Sequence, residues 1–230
     1  MAKRGAMAFL HGAPVGLCTN TAIAIARGPR VAVSAWGGHM STALVPNDHD
    51  EFQNWPAVKV FWRNSQQPDL REFCPGHFKT SQDEYLPQEC ALNPERVQEF
   101  PSAFSLSAED FERLSEISEE AADLYQYSLS VAPGIKVGGF PRWSQDPEIP
   151  HCECGRLMDY VLTIDSSEFD GGTFERWLPI QERDLWHAPY EKRTQVQSAA
   201  GLTLGDMGEM NLFACMQCSP WRNKAVFQCS

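Results

Sequence analysis

Two short stretches hold the residues best suited to chemistry. His151-Cys152-Glu153-Cys154-Gly155 puts two thiols one residue apart, and Cys215-Met216-Gln217-Cys218 supplies a second pair in the usual C-x2-C spacing. A tetrahedral zinc ion takes four thiolate or imidazole ligands, and pairing the ligands within short turns lowers the entropy cost of assembling the site. Cys152, Cys154, Cys215 and Cys218 therefore read as a metal clasp with zinc as its cofactor, and His151 and Cys229 are spare ligands. Buried thiols and redox-sensitive cysteines remain open as readings of the same residues. Four thiolates also suit iron. A site closed by four protein ligands is structural, because metal catalysis needs an open coordination position.

Other residues invite weaker readings. Cys74-Pro75-Gly76-His77 with Cys90 resembles half of a second metal site but lacks a partner pair, and Cys18 stands alone as a core candidate. Asp165, Glu168 and Asp170, just before Gly171-Gly172, have the composition of a calcium or acid-base cluster; a polar turn uses the same residues. Gly139, Pro141, Trp143 and Gln145 form a candidate binding loop, since Gln145 places a polar group beside aromatic and proline neighbours. Trp143, Trp177, Trp186 and Trp221 fit either a peptide groove or a core. "KVGGFP" lacks the strand-glycine-helix order of a nucleotide fingerprint, and no nucleophile-elbow, zincin or P-loop motif occurs.

The cysteine pairs are sixty-odd residues apart, so strands must bring them together. Alternating apolar runs predict strands over 158–164, 210–215 and 224–229, a hairpin over 21–36 turning at "RGPR", and a strand over 57–62. Pairing 158–164 with 210–215 would set the two knuckles side by side. Residues 107–127 predict one amphipathic helix: Ser107 caps it with Asp110 at the third position, and Phe111, Leu114, Ile117, Ala121, Leu124 and Tyr125 form its apolar stripe. The opposite face carries Glu112, Glu116, Glu119, Glu120 and Asp123. One main helix with short, mostly antiparallel strands is an α+β fold. The chain reads as a single domain over 1–230, with a β-rich part at 1–65, an irregular proline-rich connector at 66–102, and the remainder from about 105.

"KVGGFPRWSQDPEIPHCECGRLMDYVLTID", "EFDGGTFERWLP" and "NLFACMQCSPW" together resemble the YwqG-like proteins, a bacterial domain-of-unknown-function family, over roughly residues 120–230. The likeness is carried by Gly138-Gly139, Pro141, Trp143, Gln145, the cysteine pair with Gly155 and Met158, and the strand ending near Asp165. It implies an α+β fold with an antiparallel sheet, no established catalytic activity, and a toxin-immunity role proposed for some members. A more distant likeness to the programmed-cell-death-2 proteins suggests protein handling.

Charge narrows the partner. The net charge is −11, and residues 66–230 hold thirteen basic against twenty-seven acidic side chains. Phosphate binding needs a basic surface, so nucleic acid is excluded as a partner for this part, and a basic protein is the complementary expectation. The apolar run after Lys3 and Arg4 is cut by His11 and Pro14, too early for a secretory signal, and no run reaches the roughly 18 apolar residues of a membrane span. The expectation is a cytoplasmic protein, where thiols stay reduced and clustered cysteines favour metal. The function expected is a non-enzymatic interaction factor. The alternative is a small metal- or carboxylate-dependent enzyme or ligand-binding protein using His39, His77, His151 or the acids at 165–170.

Overall fold

The computed structural model describes residues 95–198 and 201–229, apart from the Glu119 side chain, together with the backbone of six short strands that precede them. Those six are β1 (Ala6–Met7), β2 (Phe9–His11), β3 (Ile23–Ala24), β4 (Val31–Ala35), β5 (Met40–Leu44) and β6 (Ala91–Asn93). Four more follow: β7 (Lys136–Val137), β8 (Asp159–Asp165), β9 (Glu209–Cys215) and β10 (Arg222–Gln228). The principal sheet is antiparallel throughout, in the order β1-β7-β8-β9-β10. The pair β2-β6 and the three strands β3-β4-β5 form two smaller sheets. The fold is α+β, and the three strands expected in the C-terminal half are present within two residues of their expected bounds. Strands β3 and β4 pair antiparallel, as the hairpin over 21–36 requires. The strand expected at 57–62, along with Cys18, His39, Cys74, His77, Cys90 and most of the proline-rich connector, lies outside the described residues.

Burial explains the strand sequences. Every residue of β9 is buried, and β8 is buried from Val161 onward, whereas the edge strand β10 alternates. Period-two geometry sends alternate residues of β9 to opposite faces. Met210, Leu212 and Ala214 join Ile135, Val161, Leu162 and Ile164 in one apolar cluster. Phe213 and Cys215 join Trp143, Cys152, Met158 and Val226 in another, and that second face carries the cysteines.

A bulge in β8 matters to this second face. Tyr160 pairs with Phe213 but Leu162 pairs with Leu212, so the extra residue, Val161, flips the phase of the strand. Tyr160 and Thr163 consequently share a face, and their hydroxyl groups lie 2.6 Å apart. A regular strand would put them on opposite sides.

The region 107–127 corrects the expectation of a single helix. Helix α1 (Ala108–Ile117) starts as foreseen, with Asp110 N–H donating to Ser107 Oγ at 3.1 Å. It then ends at Ser118, whose φ of −169° and ψ of 163° are extended, and α2 (Glu119–Leu124) begins anew before a π-helical turn over Tyr125–Leu129. The reason is local: a serine followed by two glutamates is itself a helix-start signal, since acids in a first turn are favoured by the backbone dipole. Packing does not override it, because Phe111, Ile117 and Leu124 are exposed. Beyond the sheet's connecting loops lie α3 (Phe174–Trp177), a 3-10 stretch over Ile180–His187, and α4 (Tyr190–Gln197). Trp177 and Leu178 pack with Ala132 and Phe169 in a third apolar cluster.

Candidate metal centre

The first knuckle is a turn at the tip of a short hairpin. Met158 N–H donates to Pro150 O, Cys152 N–H to Arg156 O and Gly155 N–H to Cys152 O, at 2.9, 2.8 and 2.8 Å. Gly155 has φ of +84°, and a Cβ there would touch nothing within 4 Å, so glycine is required by the backbone angle and not by space. The second knuckle follows directly from β9. Cys215 is the last residue of that strand, and the turn returns the chain into β10, where Arg222 pairs in register with Cys215. Arg222 forms a solvent-exposed ion pair with Glu153 across the two knuckles.

The pairing of β8 with β9 delivers what the spacing asked for. Cys152, Cys154, Cys215 and Cys218 offer sulfurs that all lie within 4.8 Å of one another. Cys152 Sγ is 3.7 Å from Cys218 Sγ, and Cys154 Sγ is 3.7 Å from Cys215 Sγ. Zinc–thiolate bonds of ~2.3 Å in tetrahedral geometry set sulfurs about 3.8 Å apart, so the donor set fits a tetrahedral thiolate-bound ion in both chemistry and dimension. Among the described residues this is the one cluster of cysteine, histidine and acidic side chains with that convergence. Cys229 and His151 stand outside it. All five described cysteines are free.

The second knuckle acts oppositely on its two thiols. The N–H groups of Gln217 and Cys218 point at Cys215 and push its thiol down to about 7, against the opposing effect of burial. Cys218 is pushed up to about 12, first by its hydrogen bond with Cys152 and then by its contacts with Cys154 and Cys215. Unshared negative charge on four adjacent sulfurs repels, and a divalent cation removes that repulsion.

Beside the sulfurs on the same sheet face, the chain builds a buried polar network. Thr163 Oγ1 donates to Asn211 Oδ1 at 2.5 Å, and Asn211 Nδ2 donates to Arg142 O at 2.6 Å. Arg142 reaches Asp165 at 2.5 Å and Asp170 at 3.4 Å. Asp165 stands directly opposite Glu209 across the strands. Burial raises both acids, Glu209 to about 7, and Arg142 counters part of the effect. Lys136 and Glu99 form a pair with 0% and 1% side-chain exposure, 3.0 Å apart, and burial pushes Lys136 down to about 8 despite the attraction of Glu99.

The loop singled out in the sequence lies over this network. Trp143 is buried and stacks on Phe213 with ring centres 6.0 Å apart, next to Cys152 and Cys215. Gln145 is exposed, donates its side-chain amide to Cys229 O at 2.6 Å, and donates its backbone N–H to Gln228 Oε1 at 3.0 Å. Gly139 has φ of +79° and packs so closely on Glu99 that a Cβ would overlap its carboxylate, while Pro141 precedes the arginine of the network. Asp165, Glu168 and Asp170 are not brought into a ligand cluster: Asp165 is held by Arg142, and Asp170 Oδ1 accepts from the N–H groups of Gly172 and Thr173, each at 2.8 Å. Trp177 is core, and Trp221 is exposed. Sequence reasoning missed Glu99, Lys136 and Arg142, whose oppositely charged partners are 23 to 37 residues away.

No protein-family model matches this chain, and no curated protein matches it. No helix among the described residues is long and apolar enough to cross a membrane.

Proposed function

We propose that Cys152, Cys154, Cys215 and Cys218 hold one structural zinc ion, and that the protein is a YwqG-like, non-enzymatic interaction factor working in the cytoplasm. The observation that carries the reading is the set of cross-knuckle sulfur separations of 3.7 Å, the edge length of a thiolate tetrahedron about zinc. Such a closed site leaves no coordination position for substrate, which favours a structural role for the metal. Its place at the ends of β8, β9 and β10 suits a clasp that locks the sheet's edge. In this reading Cys152 and Cys215 anchor the ion from the buried side, while Cys154 and Cys218 close it from the solvent side.

The interaction role is supported by charge. Residues 108–124 carry seven acids and one base, Arg113, and the described acidic side chains there are exposed. A basic protein surface is the complementary partner, of the kind a toxin-immunity role would require. Capture from native cells at low ionic strength should yield a partner that is lost at high salt, and lost equally when Glu112, Glu116, Glu120 and Asp123 are neutralised to amides. A partner retained under both conditions would overturn the electrostatic reading. Elemental analysis of the purified protein tests the zinc.

A further inference from the structure

We propose that the four sulfurs are also a redox site for hydroperoxides, in which oxidation joins Cys154 to Cys215 and Cys152 to Cys218 and gives up the metal. This rests on the zinc reading above. Within a quartet whose sulfurs all lie within 4.8 Å of one another, two 3.7 Å contacts link one knuckle to the other, Cys152 to Cys218 and Cys154 to Cys215. A Cys152–Cys154 bond is disfavoured by the backbone, since it must close across the turn held by Gly155 N–H on Cys152 O, and without it the four sulfurs can form two disulfides only between the knuckles. The cross-knuckle pairs need only bring two sulfurs together.

Access is also uneven. Cys154 is exposed and Cys218 is half-buried, whereas Cys152 and Cys215 are only 3% and 2% accessible. A peroxide must reach the sulfur it oxidises, so the exposed Cys154 reacts first. Its thiolate attacks one peroxide oxygen, the O–O bond breaks, and the departing oxygen takes a proton from solvent to leave as alcohol or water. Cys154 is then a sulfenic acid. The Cys215 thiolate attacks that sulfur, the S–S bond forms, and the S–O bond breaks to release hydroxide, which a proton converts to water. Two electrons have passed from one sulfur pair to one peroxide. Cys152 and Cys218 alone cannot complete a tetrahedron and lose their hold on the metal, and a second hydroperoxide joins them by the same two steps. The backbone pairing of β9 with β10 and the hydrogen-bonded turn over Cys152 keep the knuckles facing each other meanwhile.

The test exposes zinc-loaded full-length protein to hydrogen peroxide, follows zinc release with a chromogenic chelator, and maps disulfides by peptide mass spectrometry. Cleavage after Glu153 separates Cys152 from Cys154, and fragmentation of the linked peptides separates Cys215 from Cys218. The expected result is two disulfides for each zinc released, paired 154–215 and 152–218, with a thiol reductant plus zinc restoring the starting state. A Cys229→Ser variant should behave identically. Zinc retained after peroxide, pairing within a knuckle, a link to Cys229, or irreversible sulfinic acids would each overturn the proposal. Should the purified protein contain no metal, the zinc reading fails by itself; the same two cross-links are still expected in the metal-free chain, and their absence there overturns the redox pairing separately.

Discussion

Replacing Lys136 with Met probes whether the buried ion pair is integral to the fold. Lys136 Nζ lies 3.1 and 3.0 Å from the two carboxylate oxygens of Glu99 and also donates to Phe140 O at 2.5 Å. Glu99 in turn accepts from Ala132 N–H at 2.9 Å and Phe140 N–H at 2.7 Å, so one carboxylate ties the segment before α1 to both ends of β7. Methionine fills the volume of the lysine stem and removes a charge that burial already disfavours. What remains is a carboxylate at 1% exposure with two backbone donors and no cation. Hydrogen bonds to charged groups contribute about 1.5–3 kcal/mol each, and stranding one partner of a buried pair costs about 3–5 kcal/mol. The expected loss for Lys136→Met is therefore about 3–5 kcal/mol, read from urea unfolding near neutral pH with the m-value unchanged. Adding Glu99→Gln should recover at least about 1.5 kcal/mol of it, because the stranded charge is gone while one side-chain oxygen still accepts. A single-variant loss below about 1 kcal/mol, the range of a solvent-exposed pair, would refute the reasoning. So would a double variant as unstable as the sum of the two singles.

Other outcomes follow from the same face. Glu209 keeps its proton in the folded state up to about 7 while the unfolded chain releases it near 4.5, so this group makes stability fall as pH rises through that window. Glu209→Gln should flatten that part of the curve and gain up to about 3 kcal/mol above pH ~7, and parallel curves for variant and parent would contradict it. Gly139→Ala should destabilise by more than about 1 kcal/mol, combining a strained φ of +79° with overlap on Glu99, and a neutral result in thermal unfolding would show that the loop yields.

How far the sequence reached depended on whether the determining contacts were local. The strands announced themselves because apolar alternation and length are local properties, and β8 against β9 was the pairing that the cysteine spacing demanded. The clasp was legible for the same reason: each knuckle keeps its two ligands within four residues. The bulge at Val161 was not, since nothing in "DYVLTID" marks where the phase slips, and it decides that Tyr160 joins Thr163 and Asn211. Glu99 and Lys136 were illegible because they meet across 37 residues, and a lone lysine in "GIKVGG" reads as solvent-facing. The break at Ser118 was the reverse case, a local signal outvoted in the reading by a longer apolar stripe. That stripe makes a helical pattern, yet Ile117 is 75% exposed, so no burial enforces continuity.

The central claim is that four cysteines from two knuckles hold one structural zinc. Elemental mass spectrometry on the untagged protein, beside a variant with Cys215 and Cys218 both changed to Ser, tests it most directly. The account predicts one zinc per chain in the parent, and a variant that loses both the metal and several kcal/mol of stability, as expected when binding free energy is folding free energy. A metal-free parent whose stability matches that of the variant would contradict it.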